Sequence, residues 1–197
     1  MQVETTALEG VLLLTPEVFG DARGYFLESW NRRRFAEALG LPESGLPSFV
    51  QDNQSRSSRG VLRGLHYQVA PEPQAKLVRC VAGEIFDVAV DLRRGSPTFG
   101  RWSGARLSGI NHRQLWVPVG FAHGFLTLSE TAEVLYKTAG YWSRACERSL
   151  RWNDPDLAIA WPTAAGDPEP LLTAKDAEAP TLAEALAAGD VFEAASA

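Results

Sequence analysis

Three histidines stand in this chain of 197 residues, His66, His112 and His123, and that scarcity makes each of them informative. His66 lies in Arg63-Gly64-Leu65-His66-Tyr67-Gln68. Imidazole, with an unperturbed pKa of about 6.5, suits proton transfer at neutral pH, so His66 is read either as a hydrogen-bonded structural histidine or as a general base. The neighbouring cations favour the base. Arg63 precedes His66, Lys76 follows ten residues on, and with Arg23 they could build a cationic pocket on an acidic protein. Such a pocket suits an anionic ligand such as a phosphate. Taken singly, each arginine is better explained as a solvated surface charge. Tyr136, in Glu133-Val134-Leu135-Tyr136, is either a half-buried packing ring or a phenol that donates a proton to a carbanion or enolate. Tyr141-Trp142 are core aromatics or a flat surface for a nucleobase, a contact worth about 1–3 kcal/mol per base in single-stranded complexes. His112 reads as a turn residue and is given no role.

Strands must position these groups. Short runs rich in Val, Leu, Phe, Tyr and Trp predict strands over 11–14, 25–30, 49–54, 61–68, 75–81, 84–90, 114–118, 122–128 and 132–139. Many short strands with frequent turn signals imply an all-β sandwich or barrel. Ala82-Gly83 between two such runs predicts a hairpin over 75–90. Helix is sparse: one over 31–39 stopped by Gly40, and one near the end that starts at the capping box Thr181-Leu-Ala-Glu184 and stops at Gly189. Residues 163–173 read as an ordered connection to the C-terminal segment, and 1–197 as a single domain with a mobile tail over 190–197. In a regular strand, positions 63 and 66 face opposite sides. Arg63 and His66 share a pocket only if Gly64 permits a bulge or bend.

Hydrophobic residues at 45% and charged residues at 22% are ordinary for a soluble globular protein. A balance of 19 basic against 24 acidic residues, net −5, argues against a general nucleic-acid binder. No basic, apolar leader and no run long enough for a membrane span is visible, so the expected setting is the cytoplasm. Cys80 and Cys146 are too few for a disulfide framework and are read as reduced packing residues.

Pro118-Val-Gly120-Phe-Ala-His123-Gly-Phe125 resembles the second motif of the cupin superfamily. In a metal cupin the first motif supplies two histidines one residue apart, which alternation places on one strand face. Here Gln68 and Gly64 occupy the positions two residues either side of His66, so the ligand pattern is broken and no metal is expected.

Taken together, several segments resemble one metal-independent branch of that superfamily, the dTDP-4-dehydrorhamnose 3,5-epimerases. The marks are Gly20-Asp-Ala-Arg23-Gly-Tyr-Phe-Leu-Glu28, Gln51-Asp52-Asn53, Gly60-Val-Leu-Arg63-Gly-Leu-His66-Tyr-Gln68, Gln74-Ala-Lys76-Leu-Val, Phe86-Asp-Val-Ala-Val-Asp91, Gly95-Ser-Pro-Thr-Phe-Gly100 and the stretch from Gln114 to Phe125. The resemblance implies a β jelly roll with a few short helices, acting as a homodimer without a cofactor on dTDP-4-dehydro-6-deoxy-D-glucose. By motif it implies His66 as base, Asp176 as its orienting partner, Tyr136 as acid and Lys76 near the C4 keto oxygen. Arg23, Arg63 and His123 would hold the diphosphate or nearby polar groups. Glu28, Gln51, Asp52, Asn53, Glu147 and Lys175 would line the nucleotide site. Trp142 occupies a place where the family often has a tyrosine that stacks on thymine, and a tryptophan stacks as well. Relatives that invert only C3 or only C5 form the nearest competing reading. A metal-dependent cupin and a non-catalytic sugar-nucleotide-binding jelly roll are more distant ones.

Overall fold

The computed structural model describes residues 1–163 and 169–194. Its strands are β1 (Gln2–Thr5), β2 (Leu12–Thr15), β3 (Val18–Asp21), β4 (Gly24–Leu27), β5 (Gln51–Ser58), β6 (Leu62–Gln68), β7 (Lys76–Ala82), β8 (Glu84–Asp91), β9 (Arg93–Arg94), β10 (Trp102–Ser108), β11 (Gln114–Val117), β12 (Phe121–Thr127), β13 (Thr131–Thr138), β14 (Glu147–Ser149) and β15 (Phe192–Glu193). The helices are α1 (Arg32–Leu39), α2 (Ala174–Ala177) and α3 (Leu182–Ala188). A six-stranded sheet in the order β1-β2-β11-β7-β13-β5 faces a five-stranded sheet in the order β10-β8-β12-β6-β14. This is the expected all-β, cupin-type jelly roll.

Alternation within each strand builds three layers of packing. Val78, Leu115, Val117 and Val134 from one sheet meet Ile85, Ala89, Phe121 and Phe125 from the other in the space between them. The opposite face of the five-stranded sheet packs Leu65, Tyr67, Val88 and Val90 against Leu150, Leu157, Leu182 and Ala185. The opposite face of the six-stranded sheet packs Leu14, Leu77 and Trp116 under Phe35 and Ala36 of α1. Central strands are therefore covered on both faces, and β12 is buried at every position. Each buried Leu, Val or Phe contributes about 1.5–3 kcal/mol relative to exposure.

Two sequence expectations need correction. β7 and β8 do not form a hairpin, because they belong to different sheets. The chain crosses between the layers at Gly83, which takes φ +76 and would place a Cβ 2.1 Å from Thr131 O. β10 carried no strand signal. Its Gly104 lies under Phe86, where a Cβ would sit 2.3 Å from the ring, so at that position the strand has no room for a side chain. The helix caps agree with expectation: Asn31 and Gly40 bound α1, and the Thr181–Glu184 capping box and Gly189 bound α3.

The beginning of the expected tail is packed. Asp190 O accepts from Tyr67 Oη at 2.7 Å, Asp190 pairs with Arg148, and β15 pairs in parallel with β9. Residues 195–197 of that tail, and 164–168 of the expected connection over 163–173, lie outside the described residues.

Candidate active site

His66 and Arg63 share a pocket because β6 is irregular where Gly64 sits. Arg63 pairs with Phe125 and His66 with His123, so three steps along β6 match two along β12. That bulge turns both side chains to the inner face. Gly64 has φ +139, and a Cβ there would meet Gly124 Cα at 2.6 Å, so only glycine allows the close approach.

Asp176 reaches His66 from α2. Its Oδ1 lies 2.6 Å from His66 Nε2. Thr173 caps α2 by accepting from Asp176 N, and the Asp176 side chain is buried. Burial alone would raise the Asp176 pKa, but hydrogen bonds from His66, Thr173 and Gly64 N outweigh it and hold the carboxyl below its usual range. Asp176 is therefore an anion at neutral pH. An ionised carboxylate only accepts, so Nε2 carries the hydrogen and Nδ1 is left as the basic nitrogen.

Lys76 enters from the facing sheet. It is buried, and its Nζ donates to His66 O at 3.1 Å. Burial lowers its pKa to about 8, against the pull of Asp87 and Glu147. Tyr136 also points inward, with its ring against the inter-sheet core. Burial raises its pKa, so the phenol keeps its proton at neutral pH. Asn53 lies directly across from Tyr136, and Gln51 Nε2 donates to Asn53 Oδ1 at 2.9 Å. Arg63 Nε donates to Ser57 Oγ at 3.0 Å across the space between the sheets. His123 is buried, with Nε2 2.8 Å from Asp87 Oδ1.

At the rim, Glu147 pairs with Lys175 at 2.6 Å. Burial would raise the Glu147 pKa, but Lys175, the Trp142 indole and His66 together bring it below the ordinary value. Lys175 thus holds Glu147 in this chain, and Trp142 stands next to them with 56% of its surface exposed.

Asp52, Arg23 and Glu28 are not brought to this pocket. Asp52 lies between Gln51 and Asn53 on β5, so alternation turns it to the opposite face of the sheet, where Lys137 Nζ meets it at 3.0 Å. Arg23 stands at the tip of the β3–β4 hairpin, its side chain 90% exposed and paired with Asp21. Glu28 bonds Asn31 and Arg34 at the start of α1.

The inward groups form a base backed by a carboxylate, a neutral phenol and a buried ammonium on the facing sheet, and cations toward the rim. That set can remove a proton from one carbon and return one from another direction while holding negative charge on an oxygen. Among the described residues, no three His, Cys, Asp or Glu side chains are grouped as a metal site.

The profile of the family described as dTDP-4-dehydrorhamnose 3,5-epimerase matches residues 5–184. The chain belongs to that family. The dTDP-4-dehydrorhamnose 3,5-epimerase of Pseudomonas aeruginosa is 57% identical over 94% of this chain and 98% of its own length. The dTDP-4-dehydrorhamnose 3-epimerase of Streptomyces niveus is 44% identical over 96% of this chain and 87% of its own. Among solved structures, the 3,5-epimerase of Legionella pneumophila in complex with dTDP-4-keto-L-rhamnose superposes with a TM-score of 0.91 at 45% identity, covering 99% of both chains.

Two inward residues of this epimerase-family chain carried no assigned role in the sequence reading. Asp87 lies within Phe86-Asp-Val-Ala-Val-Asp91, and a charged residue inside an apolar strand run is the signal that marks it. Gln68 was weighed only against a histidine at the same position. It is buried, and its amide bonds Glu72 O, Tyr141 O and Ser143 N.

Proposed function

We propose that this chain epimerises dTDP-4-dehydro-6-deoxy-D-glucose at C3 and C5 to dTDP-4-dehydro-L-rhamnose. The observation that carries this reading is His66 on one sheet, paired with Asp176 from α2, and the protonated Tyr136 and the buried Lys76 on the other sheet. C3 and C5 both flank the C4 ketone, so loss of either proton gives an enolate. His66 Nδ1 takes the proton, and Asp176 stabilises the imidazolium that results. Lys76 stabilises the oxyanion on O4, an electrostatic contribution often worth about 3–4 kcal/mol. Tyr136 returns a proton on the opposite face, which inverts the centre. The sequence is redox-neutral and draws on no redox cofactor.

Arg63 and His123 are assigned to the polar groups of the bound sugar nucleotide, and Gln51, Asn53, Glu147 and Lys175 to the nucleotide side. Trp142 stacks on the base. Arg23 and Glu28 complete the site from a second copy of the chain. The support for a homodimer is the β3–β4 hairpin, which exposes Phe19, Tyr25 and Phe26 together with Arg23. We place the reaction in the cytoplasm, in keeping with two buried, free cysteines.

Inversion at C3 alone is the second reading, favoured by the Streptomyces niveus 3-epimerase among the relatives. Proton NMR of the substrate in D₂O with this enzyme, with the product trapped by a ketoreductase, separates the two. Deuterium at C3 and C5 with an L-rhamnose-configured product is the expected result. Exchange and inversion at one centre would make it a mono-epimerase, and no exchange would overturn the assignment.

A further inference from the structure

The loop between β13 and β14 carries Trp142, and glutamine side chains hold its backbone. Gln74 Nε2 donates to Gly140 O at 2.7 Å, alongside Thr138 Oγ1 at 2.9 Å. Gln68 Nε2 donates to Tyr141 O at 3.1 Å. Trp142 N donates to Gln51 Oε1 at 3.1 Å. Ser143 N donates to Gln68 Oε1 at 2.8 Å. Each of the residues 140–143 thus hangs from a glutamine, and the three glutamines come from three separate places in the chain.

Gln68 is the centre of this clamp. It is only 3% exposed, and its second donor is spent on Glu72 O at 2.6 Å. An amide supplies donors and an acceptor from one rigid plane, so a single side chain can fix a carbonyl and an N–H two residues apart. Gln68 also shares the inner face of β6 with His66, two residues before it. The clamp therefore ties the Trp142 loop to the strand that carries the base. The ring needs such a device, because Trp142 is largely exposed and has little packing of its own.

We infer that Gln68, assisted by Gln74, is a positioning residue that holds the Trp142 loop ready for the nucleobase and so sets nucleotide affinity without touching the reacting carbons. The inference rests on the reading that Trp142 stacks on the base.

The test is a double-mutant cycle on the full-length protein, with dTDP as the binding probe. Trp142→Ala, Gln68→Met and the double variant are compared for dTDP Kd by calorimetry, and for KM and kcat with the sugar nucleotide. Gln68→Met is expected to raise Kd and KM about tenfold, the scale of one lost hydrogen bond, with kcat nearly unchanged. In the Trp142→Ala background it is expected to add little. A Gln68→Met variant that leaves Kd unchanged while Trp142→Ala raises it overturns the inference. Equal effects of Gln68→Met in both backgrounds also overturn it, since a general structural defect would behave that way. If Trp142→Ala leaves Kd unchanged, the stacking reading itself has failed. Should Gln68→Met not fold, Gln74→Met must give the same pattern at smaller size, and its absence counts against the inference.

Discussion

Along β7 the inward side chains are Lys76, Val78 and Cys80, and along β13 they are Tyr136, Val134 and Ala132. One end of each strand is chemistry and the other is core. The two ends share a backbone, a pairing register and a face of the sheet, yet they obey different rules. At the apolar end a residue is held by what it touches on all sides. At the polar end three groups are held by named partners: Asp176 for His66, Asp87 for His123, the His66 carbonyl for Lys76. A buried charge costs free energy unless it is paired, so the polar end is built at a loss that the apolar end must cover.

That contrast predicts that activity and stability can be damaged separately. The largest effect belongs to His66→Asn, which removes the proposed base while keeping a hydrogen-bonding side chain beside Asp176. Turnover should fall by about 10²–10⁴-fold, measured as deuterium exchange at C3 and C5, with the unfolding midpoint little changed. Loss of fold in this variant would show that the polar end is structural after all. Leu115→Ala is its mirror image at the apolar end, where Leu115 is fully buried. Denaturant unfolding should show about 2–5 kcal/mol of lost stability, while kcat of the folded fraction stays near wild type.

Lys76→Met sits between these two. Losing the ammonium should cut kcat by about 10²-fold. Its effect on stability has a definite sign. The folded pKa of Lys76 is lowered from 10.5 to about 8 by burial, so between those values the unfolded chain binds more protons than the native one. Wild-type stability from this residue therefore rises with pH through that window, and below it the buried charge is a net cost. Lys76→Met should match or exceed wild-type stability at pH 7, and its advantage should shrink as pH approaches 10.5. Unfolding curves at pH 7, 9 and 10.5 check this; an advantage that grows with pH would refute it.

The two ends also differed in how far the sequence revealed them. The apolar end writes itself as short runs of Val, Leu and Phe, and these marked β6, β7, β8, β12 and β13 within a residue or two. The turn at Gly83 was visible, but whether it joins two strands of one sheet or crosses to the other is decided by long-range packing. β10 was invisible because the Phe86 ring occupies the space above Gly104. At the polar end, His66 and Tyr136 stood out by residue type, whereas Asp176 sits on a single turn of helix far along the chain and entered only through a family resemblance. Arg63 required the bulge at Gly64, a condition that could be stated from alternation but not decided. Asp52 shows the same rule in reverse: a polar triplet on a strand cannot turn all three side chains into one pocket.

The smallest predicted effect concerns the hairpin that joins neither end. Arg23 makes no contact with the pocket within one chain, and Phe26 beside it is 69% exposed. If the chain worked alone, Arg23→Ala would change nothing beyond one solvent-screened ion pair with Asp21. If a second copy receives the hairpin, Arg23 meets the substrate's anionic groups there, and Arg23→Ala should raise KM about tenfold, the scale of a single charge-assisted hydrogen bond, with kcat unchanged. Phe26→Asp sharpens the distinction. It should lower the sedimenting mass toward that of one chain and make specific activity depend on enzyme concentration, whereas Arg23→Ala should leave the mass as it was. A Phe26→Asp variant that keeps both the mass and the KM of wild type would return Arg23 and Glu28 to the status of surface charges. The pocket between the two sheets would then have to bind its nucleotide without them.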